Sequence, residues 1–160
     1  MHLLWSDEAA TQAFAARLAT QAGLADAFVT LHGDLGAGKT TFTRHLLQAL
    51  GINGRIKSPT YTIVESYETD DFPAWHFDFY RFNDPQEWED AGFRDIFASP
   101  GLKLAEWPQK AEGLLPAADL DIALQTQSET ARSVTLTAHT PVGQALIQAL
   151  QGQAQPGPAA

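Results

Sequence analysis

Residues Gly33-Asp34-Leu35-Gly36-Ala37-Gly38-Lys39-Thr40 constrain this chain more than any other stretch. They fit G-x-x-x-x-G-K-[ST], in which glycines let the backbone curl until successive N–H groups converge on an anion. The pattern carries meaning only between a strand and a helix. Both flanks are present. Phe28-Val29-Thr30-Leu31-His32 reads as a short buried strand, and residues 41–50 place Phe42, Leu46, Leu47 and Leu50 at helical spacing. A helix starting at the loop adds free N–H groups and the positive end of its dipole. Lys39 can reach the β- and γ-phosphates of a nucleotide, and the Thr40 hydroxyl is placed to ligate Mg²⁺. By chance alone the pattern should arise in roughly one chain of this length in a few hundred. Gly33, Leu35, Gly36, Ala37, Gly38, Lys39, Thr40 and Thr41 are therefore the expected nucleotide-binding loop, with ATP and Mg²⁺ as the expected cofactors.

The remaining segments supply an α/β frame. Leu3-Leu4-Trp5 reads as a short strand. Residues 7–22 read as an amphipathic helix with Ser6 as N-cap, Asp7 and Glu8 in its first turn, and Gly23 just beyond its end. After Gly51 and a turn-rich link, Ser58 to Glu68 alternates in its second half and reads as a strand. Its opening, Ser58-Pro59-Thr60, suits either an ordinary strand entry or a switch-like loop presenting Thr60 to a metal or γ-phosphate. Ala74 to Phe82 reads as a second, antiparallel strand. Phe77, Phe79 and Arg81 share one face, and His76, Asp78 and Tyr80 the other.

Asp84-Pro85 with Glu87 opens a short helix reaching about Gly92, where Trp88 packs, and residues 93–99 form another helical piece. Gly101 to Pro108 is a strand ending in an acid, Glu106. Leu120–Leu124 and Ser133–Thr137 read as a pair of edge strands joined by a polar turn at 127–131. Thr140-Pro141 caps a final helix at 142–150. Residues 151–160, poor in apolar side chains, are expected to be a disordered tail. The expected architecture is α/β: a single-domain P-loop NTPase fold over residues 1–150, three-layered, with a mixed central sheet.

P-loop enzymes need an acid at the end of a neighbouring strand to hold Mg²⁺. Two positions qualify, Asp78 and Glu106. Thr40, Asp78 and Glu106 are thus the candidate metal-binding residues, and Lys39, Asp78 and Glu106 the candidate catalytic ones. His76 reads as a structural hydrogen-bonding residue.

Composition narrows the function classes. The 160 residues suffice for one core. The net charge of −9, from 19 acidic and 10 basic residues, argues against a basic nucleic-acid face. With no cysteine there is no disulfide, thiolate nucleophile or Cys-ligated zinc, which fits a reducing compartment and an expected cytoplasmic location. There is no run of 18 apolar residues and no signal-peptide pattern. A guanine-reading [NT]-K-x-D is absent. After Arg81 only Arg94 and Arg132 remain as arginines to clamp a phosphoryl acceptor. A partner-coupled ATPase is favoured, with a small-metabolite P-loop kinase as the alternative.

Four blocks carry a more specific signal: Gly33 to Phe42, Ser58-Pro59-Thr60-Tyr61, His76-Phe77-Asp78-Phe79-Tyr80-Arg81, and Glu106-Trp107-Pro108. In this order and spacing they resemble the bacterial TsaE family (older name YjeE), over about residues 6–150. The resemblance implies the ATPase of the tRNA threonylcarbamoyladenosine system. There, partner proteins make threonylcarbamoyl-adenylate and transfer the group to the adenosine 3′ of the anticodon in ANN-decoding tRNAs. The family member would bind the TsaB–TsaD pair, meet tRNA only indirectly and no membrane, and hydrolyse ATP to support repeated turnover. Its activity alone would be low, because no arginine finger is evident. On the family pattern, Lys39 would hold phosphates, Thr40 and Glu106 would hold Mg²⁺, and Asp78 would be a second acid. Thr60 and Trp107 would lie beside them, with base contacts near Glu8, Thr11 and Arg132.

Overall fold

The computed structural model describes residues 1–56, 59, 63–90 and 92–152. Among them, seven strands form one sheet. They are β1 (His2–Trp5), β2 (Phe28–His32), β3 (Val64–Glu68), β4 (Pro73–Asp78), β5 (Leu102–Glu106), β6 (Leu120–Thr126) and β7 (Arg132–Ala138). Their order is β1-β7-β6-β2-β5-β4-β3. Strand β2 lies between β5 and β6, parallel to both, and β4 is parallel to β5. The β1–β7, β6–β7 and β3–β4 pairs are antiparallel. The sheet is therefore mixed, and its central strand runs straight into the glycine-rich loop.

Period-two alternation splits the core into two layers. On β2, Val29 and Leu31 join one apolar cluster and Phe28 the other; on β5, Leu102 and Leu104 oppose Ala105. The first layer is roofed by α1 (Glu8–Ala19), α2 (Lys39–Ala49) and α5 (Pro141–Gly152). Trp5, Phe14 and Phe42 meet there with ring centroids 5.2–6.2 Å apart. The second is built from Phe77, Phe79 and Phe82 against α3 (Pro85–Asp90) and α4 (Phe93–Ala98), which contribute Trp88 and Phe93. Helices on both faces of a mixed sheet make the expected three-layer α/β fold. Among the described residues, no helix is long and apolar enough to cross a membrane.

Several boundaries differ from the sequence reading, each for a local reason. Asp7, not Ser6, caps α1: its Oδ1 accepts the Ala10 N–H at 2.9 Å, while Trp5 is held in the β1–β7 ladder opposite Arg132. Helix α1 ends at Ala19, and residues 22–26 form a 3-10 turn. Gly23 belongs to that turn, where a Cβ would sit 3.5 Å from the Leu146 side chain of α5. Strand β4 stops at Asp78 because the Asp78 carboxylate accepts the Tyr80 N–H at 3.0 Å and turns the chain. Strands β6 and β7 are not edges: β6 pairs with β2, and β1 covers β7. The edges are β1 and β3. The final helix continues to Gly152, and residues 153–160 of the expected tail lie outside the described residues.

Candidate functional site

The loop conformation rests on its glycines. Gly33 has φ 147°, and a Cβ there would lie 2.7 Å from the Leu124 carbonyl oxygen of β6, so no side chain is tolerated. Gly36 and Gly38 also have left-handed φ values, 80° and 107°, and Gly38 is the N-cap of α2. The Ala37 N–H donates to the Asp34 carbonyl at 3.0 Å and closes the turn.

Lys39 begins α2 and is only 5% exposed. Its ammonium donates to the carbonyls of Gly33 and, at 3.0 Å, Asp34. It also lies 4.4 Å from the centre of the Trp107 ring. Burial lowers its pKa, and the charges of Glu106, Asp78 and Asp34 oppose that shift.

The two candidate acids face each other across the β4–β5 ladder, where Asp78 and Glu106 are register partners. Glu106 is 3% exposed. The Thr40 hydroxyl lies 3.1 and 3.2 Å from its two oxygens, and the Nε2 of His76 is 2.6 Å from Oε2. Among the described residues, the buried Nδ1 of His76 has no hydrogen-bond partner. An ionised carboxylate only accepts, so the Nε2 N–H of His76 donates to Oε2. His76 is thus the hydrogen-bonding residue expected from sequence, and its partner is the acid itself. The Asp78 carboxyl is pushed above the ordinary aspartate range by burial, with the Glu106 charge adding to the shift and the Tyr80 N–H opposing it.

Trp107 adopts φ 55°, ψ 49°, and is the sole non-glycine residue with positive φ among the described residues. Such a backbone costs about 1–3 kcal/mol and persists where its surroundings over-determine it. Here the indole contacts both the Lys39 ammonium and the Tyr80 ring, whose centroid is 5.0 Å away.

These side chains enclose a cleft of about 350 Å³. Leu35, Gly36, Gly38, Lys39, Thr40 and Thr41 form its loop side, and Asp78, Tyr80, Glu106 and Trp107 its strand side. A second cavity of about 410 Å³ adjoins it, sharing Gly38, Thr41 and Arg132 as a common wall. Glu8, Thr11 and Ala37 line this second cavity with Arg44, Leu124, Glu129 and Thr130. Glu8 is held there by Arg44 at 3.2 Å and His45 at 3.0 Å. Gly33 lines neither cavity but lends its carbonyl to Lys39. Thr60 lies outside the described residues. Sequence reasoning did not single out Tyr80, Arg44, Glu129 or Thr130 as site residues. Only Tyr80 left a signal, through its alternation with Asp78.

The donor set fits Mg²⁺. Thr40, Glu106 and Asp78 offer hard oxygen atoms around one cleft. Among the described residues, no group of three or more His, Asp or Glu forms a metal cage.

A family model described as threonylcarbamoyl adenosine biosynthesis protein TsaE matches residues 5–134. The chain belongs to the TsaE family. It is 46% identical over 121 residues to the tRNA threonylcarbamoyladenosine biosynthesis protein TsaE of Haemophilus influenzae, covering 76% of each chain. It is 42% identical over 110 residues to the Bacillus subtilis protein of the same name, covering 69% of this chain and 68% of the relative. The crystal structure of Bacillus subtilis YdiB superposes with a TM-score of 0.80 at 32% identity, covering 97% of both chains. Three of the four blocks quoted for the resemblance reach this cleft, through the loop, Asp78 with Tyr80, and Glu106 with Trp107, while Ser58, Thr60 and Tyr61 of the fourth lie outside the described residues.

Proposed function

We propose that this TsaE-family chain is the Mg²⁺-dependent ATP hydrolase of tRNA threonylcarbamoyladenosine biosynthesis, working in complex with the TsaB–TsaD pair. One observation carries the reading: Lys39, Thr40, Asp78 and Glu106 surround a single cleft at the mouth of the loop. ATP would lie with its phosphates on the loop amides and its base toward Glu8, Thr11 and the wall at Arg132. The hydrolytic unit is residues 1–150.

Each residue then has a physical task. Lys39 exchanges the loop carbonyls for phosphate oxygens and meets the charge that grows during transfer. Thr40 and Glu106, with Asp78 beside them, would hold Mg²⁺, which would supply positive charge to neutralise the phosphates. Asp78 and Glu106 also offer acceptors for the attacking water. Water adds to the γ-phosphorus as its bond to the β–γ bridging oxygen breaks, leaving ADP and phosphate. Trp107 and Tyr80 wall the cleft. The cations lining the cleft are Lys39 and Arg132. A basic group from the partner pair would complete charge stabilisation, so hydrolysis by the chain alone is slow.

The expected outcome separates binding from chemistry. Glu106→Ala should retain ADP binding without metal, lose the gain in affinity that Mg²⁺ confers, and lose hydrolysis. Calorimetric titration with and without Mg²⁺ reads the first two. A variant with an intact Mg²⁺ effect would remove Glu106 from the metal role. If Asp78→Ala showed the loss instead, the two acids would exchange tasks.

A further inference from the structure

A loop that turns its N–H groups inward must turn carbonyls outward, and those carbonyls need partners of their own. Within the loop, the Asp34 carbonyl accepts from the Ala37 N–H, and the Gly38 carbonyl accepts from the Phe42 N–H at 2.9 Å. The Ala37 carbonyl is held from outside. Arg132 donates to it through Nε at 2.9 Å, and its Nη2 reaches the Gly36 carbonyl at 3.5 Å. The other arm of the guanidinium grips the β6–β7 turn, with Nη1 3.0 Å from the carbonyls of both Ser128 and Ala131.

That turn is itself fixed. The Gln127 N–H donates to the Ala131 carbonyl at 3.0 Å, and the Ser128 hydroxyl accepts the Ala131 N–H at 3.0 Å. The Arg132 backbone sits in the sheet, in register with Trp5 on one side and Thr126 on the other. Its side chain is therefore a short brace between a rigid hairpin and the crest of the loop, passing 3.9 Å from where a Cβ on Gly38 would stand.

We propose that Arg132 is a positioning residue that holds the Gly36–Ala37 carbonyls outward and so keeps the loop amides aimed at phosphate. This rests on the phosphate-binding reading of the cleft. It differs from a contact to the nucleobase, because a brace on the loop matters for any polyphosphate, with or without a base. A planar fork bridging two loops is also a task that lysine, a single point donor, does not reproduce.

The test is calorimetric titration with Mg-ATP and, separately, with magnesium tripolyphosphate, which has no base. Arg132→Met should weaken both ligands by the same factor, about tenfold or more. Arg132→Lys, which keeps the charge, should recover less than half of that loss on a logarithmic scale. Hydrogen exchange gives a second readout that does not depend on ligand. Loop amides at residues 36–39 should exchange faster in both variants, while the β6–β7 ladder stays protected. Loss confined to Mg-ATP would make Arg132 a base contact and overturn the proposal. So would wild-type affinity in Arg132→Lys, or unchanged loop exchange in either variant. If the wild-type chain bound tripolyphosphate no better than Lys39→Ala does, the phosphate-loop reading itself would fail, a result distinct from any behaviour of Arg132.

Discussion

Glu106 shows how much a single buried carboxylate demands of its neighbours. At 3% exposure it must be hydrogen-bonded, and it is, by Thr40 on one side and His76 on the other. Removing the imidazole should leave the carboxylate free to rotate away from the cleft. His76→Ala is expected to raise the Mg²⁺ concentration for half-maximal hydrolysis by roughly tenfold or more, the usual cost of losing such a supporting partner. ADP binding without metal should be untouched, and His76→Gln should restore part of the effect. An unchanged Mg²⁺ requirement would limit His76 to packing. The sequence placed His76 on the same strand face as Asp78, two residues away, but its pairing with a strand 30 residues later is a tertiary fact. A second carboxylate lies outside the cleft. Asp121 accepts from Thr30, lies 2.5 Å from His139 Nε2 and 3.4 Å from His32 Nε2. Burial alone would raise its pKa, but hydrogen bonds from His32, Thr30 and His139 outweigh this and hold it below the usual carboxylate range. A depressed folded-state pKa adds stability above the unfolded value near 3.9 and loses it as pH falls toward the folded value. Asp121→Asn should therefore be less stable than wild type at neutral pH, with a gap that narrows below about pH 4. Urea midpoints across pH 2.5–7 would show it, and a constant gap would contradict it.

At the scale of elements, the strand–loop–helix unit was legible because its signals are local. Glycines, a Lys-Thr pair and a 3.6-residue apolar period all fall within 23 residues from Phe28 to Leu50. Strand β5 was legible too, as a short apolar run ending in an acid. The sheet edges were not. Leu120–Leu124 and Ser133–Thr137 alternate as exposed pairs do, but four residues of β1 cover β7, and nothing in Leu3-Leu4-Trp5 names its partner. Two packing contacts test the layer that carries α2. Phe42 is fully buried beneath the loop, against Trp5 and Phe14. Phe42→Ala should cost about 3–5 kcal/mol in denaturant unfolding. A cost below 1 kcal/mol would mean that the layer relaxes to fill the space. Gly143 lies on α5, capped by Thr140, whose hydroxyl accepts the Gly143 N–H at 3.2 Å. A Cβ there would overlap the Asp119 carbonyl. Gly143→Ala should push the helix off the sheet and destabilise the fold by roughly 1–3 kcal/mol, as overpacking does. An unchanged melting temperature would contradict the close approach of α5 to β6.

Over the whole molecule, the architecture follows from placing a phosphate loop at the centre of a mixed sheet, with acids delivered by the two strands on one side. Asp78 and Glu106 end β4 and β5 at the same level, so the ladder register itself brings them together. The sequence marked both acids but offered no reason to pair them. The order of β2, β5 and β4 supplies that reason. The most direct test of the proposed function is the ATP hydrolysis rate of the purified chain, alone and with its cognate TsaB–TsaD pair, with Lys39→Ala as control. A slow rate that rises strongly with the pair and vanishes in Lys39→Ala is the expected result. A rate indifferent to the pair, or one that survives loss of Lys39, would contradict it and return attention to phosphoryl transfer onto a small metabolite.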